Sequence, residues 1–208
     1  MQSFFKKIEA FYGRHPRLGY IFTGFFGLLF FGLMQASWTF ADPDSFYHAK
    51  MAVLMLERGI IRDFPWLVYT SLPGGYTDHH FLYHVILIPF VKFFSPLIGI
   101  KVATVFINTT FILLFYGFLR KNKILRPFFF VFLLLSTAPF IFRIDLVKAN
   151  GLSLVFVMLI LIFIFQKKIL GACAFVFFLC LELWRLAIGN IFGGNLFYSV
   201  GYGEFYYG

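Results

Sequence analysis

Acidic side chains are scarce in this chain. Nine Asp and Glu stand among 208 residues, against eighteen Lys and Arg, and charged residues together make up 13%. A soluble domain carries about 25%. With 61% hydrophobic residues and a mean hydropathy of +0.85, the composition excludes a soluble enzyme and points to a membrane protein. Cysteine is nearly absent too. Cys173 and Cys180 lie seven apart in one apolar run. That is ~10.5 Å of helical rise, too far for an intrahelical disulfide, and no metal-type cysteine spacing exists, so both read as packing residues. A Gly-rich phosphate loop, a Ser nucleophile elbow and a transporter-like repeat are also missing. The net charge of +9 does not indicate nucleic acid. Its basic residues sit in short clusters at the ends of apolar runs, which sets membrane orientation, whereas a nucleic-acid binder gathers them on one polar face.

What is there is mostly apolar helix around one polar stretch, 41–84. Five of the nine acidic residues fall in it, Asp42, Asp44, Glu57, Asp63 and Asp78, with four of the five histidines, His48, His79, His80 and His84. Residues 1–17 carry Lys6, Lys7, Arg14 and Arg17 beside apolar residues at helical spacing and predict a cytoplasmic amphipathic helix on the membrane. The run 18–40 is too long for a signal h-region and predicts an uncleaved first span. Residues 41–80 then form an external loop. Asp42 as N-cap with Pro43 at the first helical position starts a helix that ends at Gly59, and Pro65, Pro73, Gly74 and Gly75 break the loop that follows. The segment 81–94 is too short for a full crossing and reads as interfacial or re-entrant. Spans are predicted at 97–119, 128–142, 151–165 and 169–183, and a Gly- and Tyr-rich tail follows from Asn190. If 81–94 does not cross, the basic clusters Arg120–Arg126 and Lys167–Lys168 fall inside, and the polar knot 143–150 falls on the same outer side as 41–80. The fold class is therefore all-α: a polytopic membrane helical protein of about five to six spans with a long first external loop carrying amphipathic helices.

Each polar motif has a chemical and a structural reading. Asp42 and Asp44 suit a general base or metal ligands, and equally suit helix capping and the helix dipole. His80 and His84 are at the i, i+4 spacing that binds metal, with Asp78 beside them, but lack the Glu of the zincin pattern; the alternative is interfacial histidines bonded to backbone or water. Arg143, Asp145 and Lys148 suit an anionic lipid phosphate, or form an Arg–Asp pair with a snorkelling lysine. Glu182 and Arg185, at i, i+3, read as a structural pair.

Three of these stretches carry a resemblance. Asp42-Pro-Asp-Ser-Phe-Tyr-His-Ala-Lys, directly after a first span, resembles the first external loop of GT-C-type glycosyltransferases, closest to oligosaccharyltransferase catalytic subunits. Asp78-His-His-Phe-Leu-Tyr is similar to the Asp-x-His-Pro-Pro-Leu region of protein O-mannosyltransferases, with His79-His80-Phe81 in place of the double proline. Phe142-Arg-Ile-Asp-Leu-Val-Lys-Ala-Asn is similar to the Arg- and acid-containing span end that follows in the same families. The likeness covers about residues 18–168, within a transmembrane module at 18–189. Family members are longer, so the chain looks like the N-terminal part of such an enzyme. The resemblance implies transfer of a sugar from a polyprenyl-phosphate donor to an acceptor at the outer face of the cell membrane. It implies Asp42 or Asp44 as the base, with Asp78 also in the catalytic group; His48, Arg143, Asp145 and Lys148 on substrate and phosphate; and a divalent cation, Mg or Mn, helped by Asp78 and His80. The competing readings are a non-catalytic scaffold or lipid-headgroup binder, and a transporter subunit. The last predicts ionisable groups near mid-membrane, whereas here they cluster at span ends.

Overall fold

A computed structural model describes residues 15–65, 69, 75–168, 170–177, 179 and 180. Seven helices follow one another: α1 Pro16–Met34, α2 Asp44–Arg58, α3 Phe81–Phe93, α4 Pro96–Lys121, α5 Pro127–Leu135, α6 Ala138–Asp145 and α7 Asn150–Phe165. Residues 170–177 and 179–180 are also helical, and no strand occurs among the described residues. The all-helical expectation therefore holds. The helix expected over 1–17 lies almost wholly outside the described residues, as do the end of the 169–183 run, the Glu182–Arg185 pair and the tail. Of the expected loop breakers, Pro73 and Gly74 lie outside them too.

Two helices, α1 and α4, are long and apolar enough to cross a membrane, and a third span exists if α5 and α6 count as one broken crossing. That pair bends by 78°, where the sequence predicts a single span. Local chemistry explains the break. Pro139 lacks the N–H that would reach back to Leu135, and its ring disfavours helix in the residues before it. Thr137 is extended at the start of α6. The Ser136 and Thr137 hydroxyls donate to the carbonyls of Phe132 (2.7 Å) and Leu133 (3.3 Å), which loosens the ladder further. The segment expected not to cross is α3. At thirteen residues it is ~20 Å long, short of a ~30 Å hydrocarbon core.

α4 packs against every other labelled helix. Its seam with α1 is built from residues at every fourth position: the small Gly19, Thr23 and Gly27, followed by Phe31, are the buried face of α1. A Cβ on Gly27 would lie 3.1 Å from Thr109 Cγ2 and 3.5 Å from the Thr109 backbone, so the two backbones approach as closely as glycine allows. The α3–α4 turn has the same requirement, since a Cβ on Gly99 would stand 2.7 Å from the Phe90 carbonyl oxygen.

The contacts fix the directions. Arg120, near the end of α4, donates to the carbonyl of Pro16 at the start of α1 (3.1 Å). Lys101, near the start of α4, donates to the Ser37 and Thr39 carbonyls just past the end of α1. Asn108 Nδ2 donates to the Ile144 carbonyl at the end of α6 (2.8 Å), and Phe118 packs edge-on against Phe165 at the end of α7. One end of the bundle therefore gathers residues 35–48 and 143–150, and the other gathers 16–20, 118–126 and 165–168.

Candidate functional site

The first half of the site is the entry to α2. Asp42 Oδ1 accepts the backbone N–H of Asp44 at 2.8 Å. The helix begins at Asp44 with Pro43, not Asp42, at the N-cap and no side-chain cap bond, so Asp42 makes a local turn one residue ahead of the cap. Asp44 lies in the first turn, where the helix dipole favours a carboxylate. The other end closes at Gly59, whose φ of +77° suits glycine and whose N–H reaches Met55 O at 3.0 Å.

The short link between α6 and α7 delivers the second half. Lys148 Nζ stands 2.8 Å from Asp42 Oδ2 and 2.7 Å from Asp44 Oδ2. Two stretches a hundred residues apart thereby meet, as the same-side expectation for 41–80 and 143–150 requires. The Lys148 hydrogen bond, with that of the Asp44 backbone, holds the Asp42 carboxyl below its ordinary value, and the two carboxylates raise Lys148. Asp44 remains 61% exposed, so the ion pair opens to solvent. Asp145 does not join it. Gln35 Nε2 donates to both the Asp145 carbonyl (2.6 Å) and its Oδ1 (2.8 Å), tying the end of α6 to the end of α1. Arg143 is exposed, its carbonyl accepting from Asn150 Nδ2 at 3.3 Å.

Behind the ion pair lies a buried chain. Asp78 Oδ2 is 2.6 Å from His84 Nδ1, and His84 Nε2 is 2.8 Å from His48 Nδ1. Exposures of 8%, 0% and 2% for Asp78, His84 and His48 put all three in the core between α2 and α3. Burial first, then the neighbouring His84 and His80, push the His48 pKa down to about 3. Burial also lowers His80 and raises Tyr47 and Tyr76, whose hydroxyls bond each other beside the chain.

No family model, curated protein or solved structure matches the chain. The site is therefore read from its own geometry. Asp42, Asp44 and Lys148 come together, and so do Asp78 and His48. Asp78 and His80 do not form the expected metal pair: Asp78 Oδ2 engages His84, and its Oδ1 accepts the backbone N–H of His80 at 3.0 Å. Among the described residues no group of three or more His, Cys, Asp or Glu side chains is placed to hold a metal ion. His84, as the link between Asp78 and His48, escaped the sequence reading, as did Gln35. His84 was noticed only at its i, i+4 distance from His80, whereas its partners come from another helix and a loop.

An apolar groove of about 340 Å³ opens between α1 and α6, walled by Phe30, Met34, Ala41, Ile141 and Phe142, with Asp145 and Leu146 at its side. Ala41 joins it directly to Asp42. A polar head site and a lateral apolar slot are thus neighbours at one end of the bundle.

Proposed function

We propose that the chain transfers a sugar from a polyprenyl-phosphate-linked donor to an acceptor at the outer face of the cell membrane. The observation that supports this reading is the convergence of Asp42, Asp44 and Lys148 beside the α1–α6 groove. A polyprenyl tail suits the groove, and a phosphate suits Lys148 and the exposed Arg143, whose N–H donors match phosphate oxygens. The reading takes α1, α4, the bent α5–α6 pair and α7 as crossings, the run 169–183 as a fifth, the N-terminus as cytoplasmic and 41–80 as external. A divalent cation, Mg or Mn, would find hard oxygen donors in the Asp42 and Asp44 carboxylates. When bound it supplies charge stabilisation for the departing phosphate.

One observation favours a second reading, a lipid-headgroup binder: Lys148 already engages both carboxylates, which leaves neither free of a partner. The two readings part in one assay. The full chain is reconstituted in liposomes with a radiolabelled polyprenyl-phosphate hexose, water and an added simple alcohol serving as acceptors of the hexose, and donor binding and release of polyprenyl phosphate are both measured. Sugar transfer expects release, together with a loss of donor affinity of about tenfold or more in Lys148→Met, the scale of one charge-assisted hydrogen bond. Donor that binds and is never consumed overturns it in favour of headgroup binding.

A further inference from the structure

Sugar transfer needs a group that takes the acceptor's proton, and Asp42 and Asp44 are poorly placed to be that group. Each lies within 2.8 Å of the Lys148 ammonium, which occupies one oxygen of each carboxylate and holds the Asp42 carboxyl below its ordinary value. The geometry points instead to a proton relay, Asp78–His84–His48, in which His48 Nε2 takes the acceptor's proton. The inference rests on the sugar-transfer reading for its substrate, and on two hydrogen bonds for its chemistry.

Those bonds leave few proton arrangements. An ionised carboxylate can only accept, so His84 Nδ1 carries the proton shared with Asp78. The bond between His84 and His48 then has two solutions. In the first, His84 is neutral, its Nε2 accepts from His48 Nδ1–H, and His48 Nε2 bears a lone pair. In the second, His84 is an imidazolium donating at both nitrogens, and His48 Nε2 bears the proton. The two differ by one proton, which enters at His48 and appears as charge on His84, 2.6 Å from its counterion Asp78. Asp78 is itself held by the His80 backbone N–H, so the relay is anchored at its inner end.

Each element around it contributes a group facing the relay. Asp44 and Tyr47 come from α2, Tyr76, Asp78 and His80 from the preceding loop, and Tyr83 from α3, while α4 sets the uncharged Thr104 against Tyr83. The half-buried His80 ring packs edge-on against His48, with ring centroids 5.2 Å apart. An isolated histidine as buried as His48 is a poor base, because it cannot hold the charge; moving that charge inward to His84, beside Asp78, offsets part of that cost during the transfer step. In the transfer step the acceptor's proton goes to His48 Nε2, and the electron pair it leaves forms the bond to the anomeric carbon. The anomeric C–O bond breaks with its pair on the departing polyprenyl phosphate, and the His48 Nδ1 proton passes to His84 Nε2. His48 is then the catalytic residue, and His84 and Asp78 are positioning residues.

The relay can be tested without turnover. The full chain, labelled at its histidine nitrogens and held in lipid nanodiscs, is examined by NMR. Strongly downfield, slowly exchanging N–H protons are expected for His84 and His48. In Asp78→Asn the nitrogen shifts of His48, which does not touch Asp78, should also change; His48→Gln should keep the His84 signal. Unchanged His48 shifts in a folded Asp78→Asn protein overturn the relay. Release of polyprenyl phosphate from a polyprenyl-phosphate hexose should fall about a hundred- to ten-thousand-fold in Asp78→Asn. Donor affinity should stay unchanged and the pH profile should be displaced, with partial recovery in Asp78→Glu. An unchanged rate and pH profile, or a loss that follows donor affinity alone, overturns the catalytic role. A wild-type chain that consumes no donor refutes the sugar-transfer reading, while the NMR experiment still decides the proton chemistry.

Discussion

At the Nζ of Lys148 two carboxylates converge, and a helical turn further along α2 a histidine is buried uncharged; the two arrangements respond to pH in opposite ranges. Asp42 is lowered from 3.8 by Lys148, so its contribution to stability is present above 3.8 and lost only as pH falls through the still lower folded value. Lys148 is raised from 10.5 by its two carboxylates, so its contribution is present below 10.5 and lost as pH rises through the higher folded value. His48 is lowered from 6.5 to about 3 by burial. Between those values the unfolded chain binds a proton that the folded chain does not, so stability is full above 6.5 and declines as pH falls toward 3. The thermal melting temperature of the detergent-solubilised chain should therefore drop between pH 6.5 and 4. His48→Gln should flatten that slope and Lys148→Met should leave it. A slope that survives His48→Gln assigns the acid sensitivity to another group. A helix start at Asp42-Pro43 is legible at this scale, within a residue, because the Asp42 bond is local, made to a backbone N–H two residues away. The Lys148 bridge spans more than a hundred residues and the His84–His48 bond spans two helices, so no local spacing encodes either.

Helix boundaries follow local chemistry closely. Pro96 starts α4, Gly59 closes α2, and the short run at 81–93 stops at Ser95-Pro96. The α5–α6 break was also written in the chain, as Ser136-Thr137-Ala138-Pro139, but a continuous apolar run masks it when hydropathy is read first. The α1–α4 seam was masked differently. Gly19, Thr23 and Gly27 lie inside an apolar run whose other residues, such as Ile21, Phe25 and Leu33, face outward. Uniform hydropathy shows no face in a membrane helix; the spacing of small residues does. Because the Thr109 backbone lies 3.5 Å from where a Gly27 Cβ would sit, Gly27→Leu must push the helices apart and should destabilise the chain by about 1–3 kcal/mol. Gly32, which has nothing within 4 Å of its Cβ position, should accept Gly32→Leu with no comparable loss. Thermal unfolding in detergent compares the two, and equal losses would mean that helix propensity, not the seam, sets the cost.

The arrangement of the whole molecule turns on which ends meet. The sequence argument for placing 41–80 and 143–150 on one side rested on the basic clusters and on 81–94 not crossing. The bundle brings the same two stretches together through Lys148, while Gln35, ahead of 41–80, reaches Asp145; neither contact uses the distribution of basic clusters. The order of contacts from α1 to α7 makes successive long elements run in opposite directions, with α3 folding back on α4 at Ser95. Cysteine accessibility in sealed, right-side-out vesicles tests this order. Cys173 and Cys180, both exposed, are first replaced by serine. Single cysteines then go to Trp38, which is 96% exposed, and to Ser95 and Lys121, both exposed. A membrane-impermeant maleimide should label Trp38→Cys and Ser95→Cys in intact vesicles, and Lys121→Cys only after permeabilisation. Labelling of Ser95→Cys only after permeabilisation would make α3 a crossing and move the basic cluster at 120–126 to the outside. Trp38→Cys, Ser95→Cys and Lys121→Cys all reacting from one side would mean that α4 does not cross, and the ion pair at Lys148 would then have to be placed relative to the bilayer by another element.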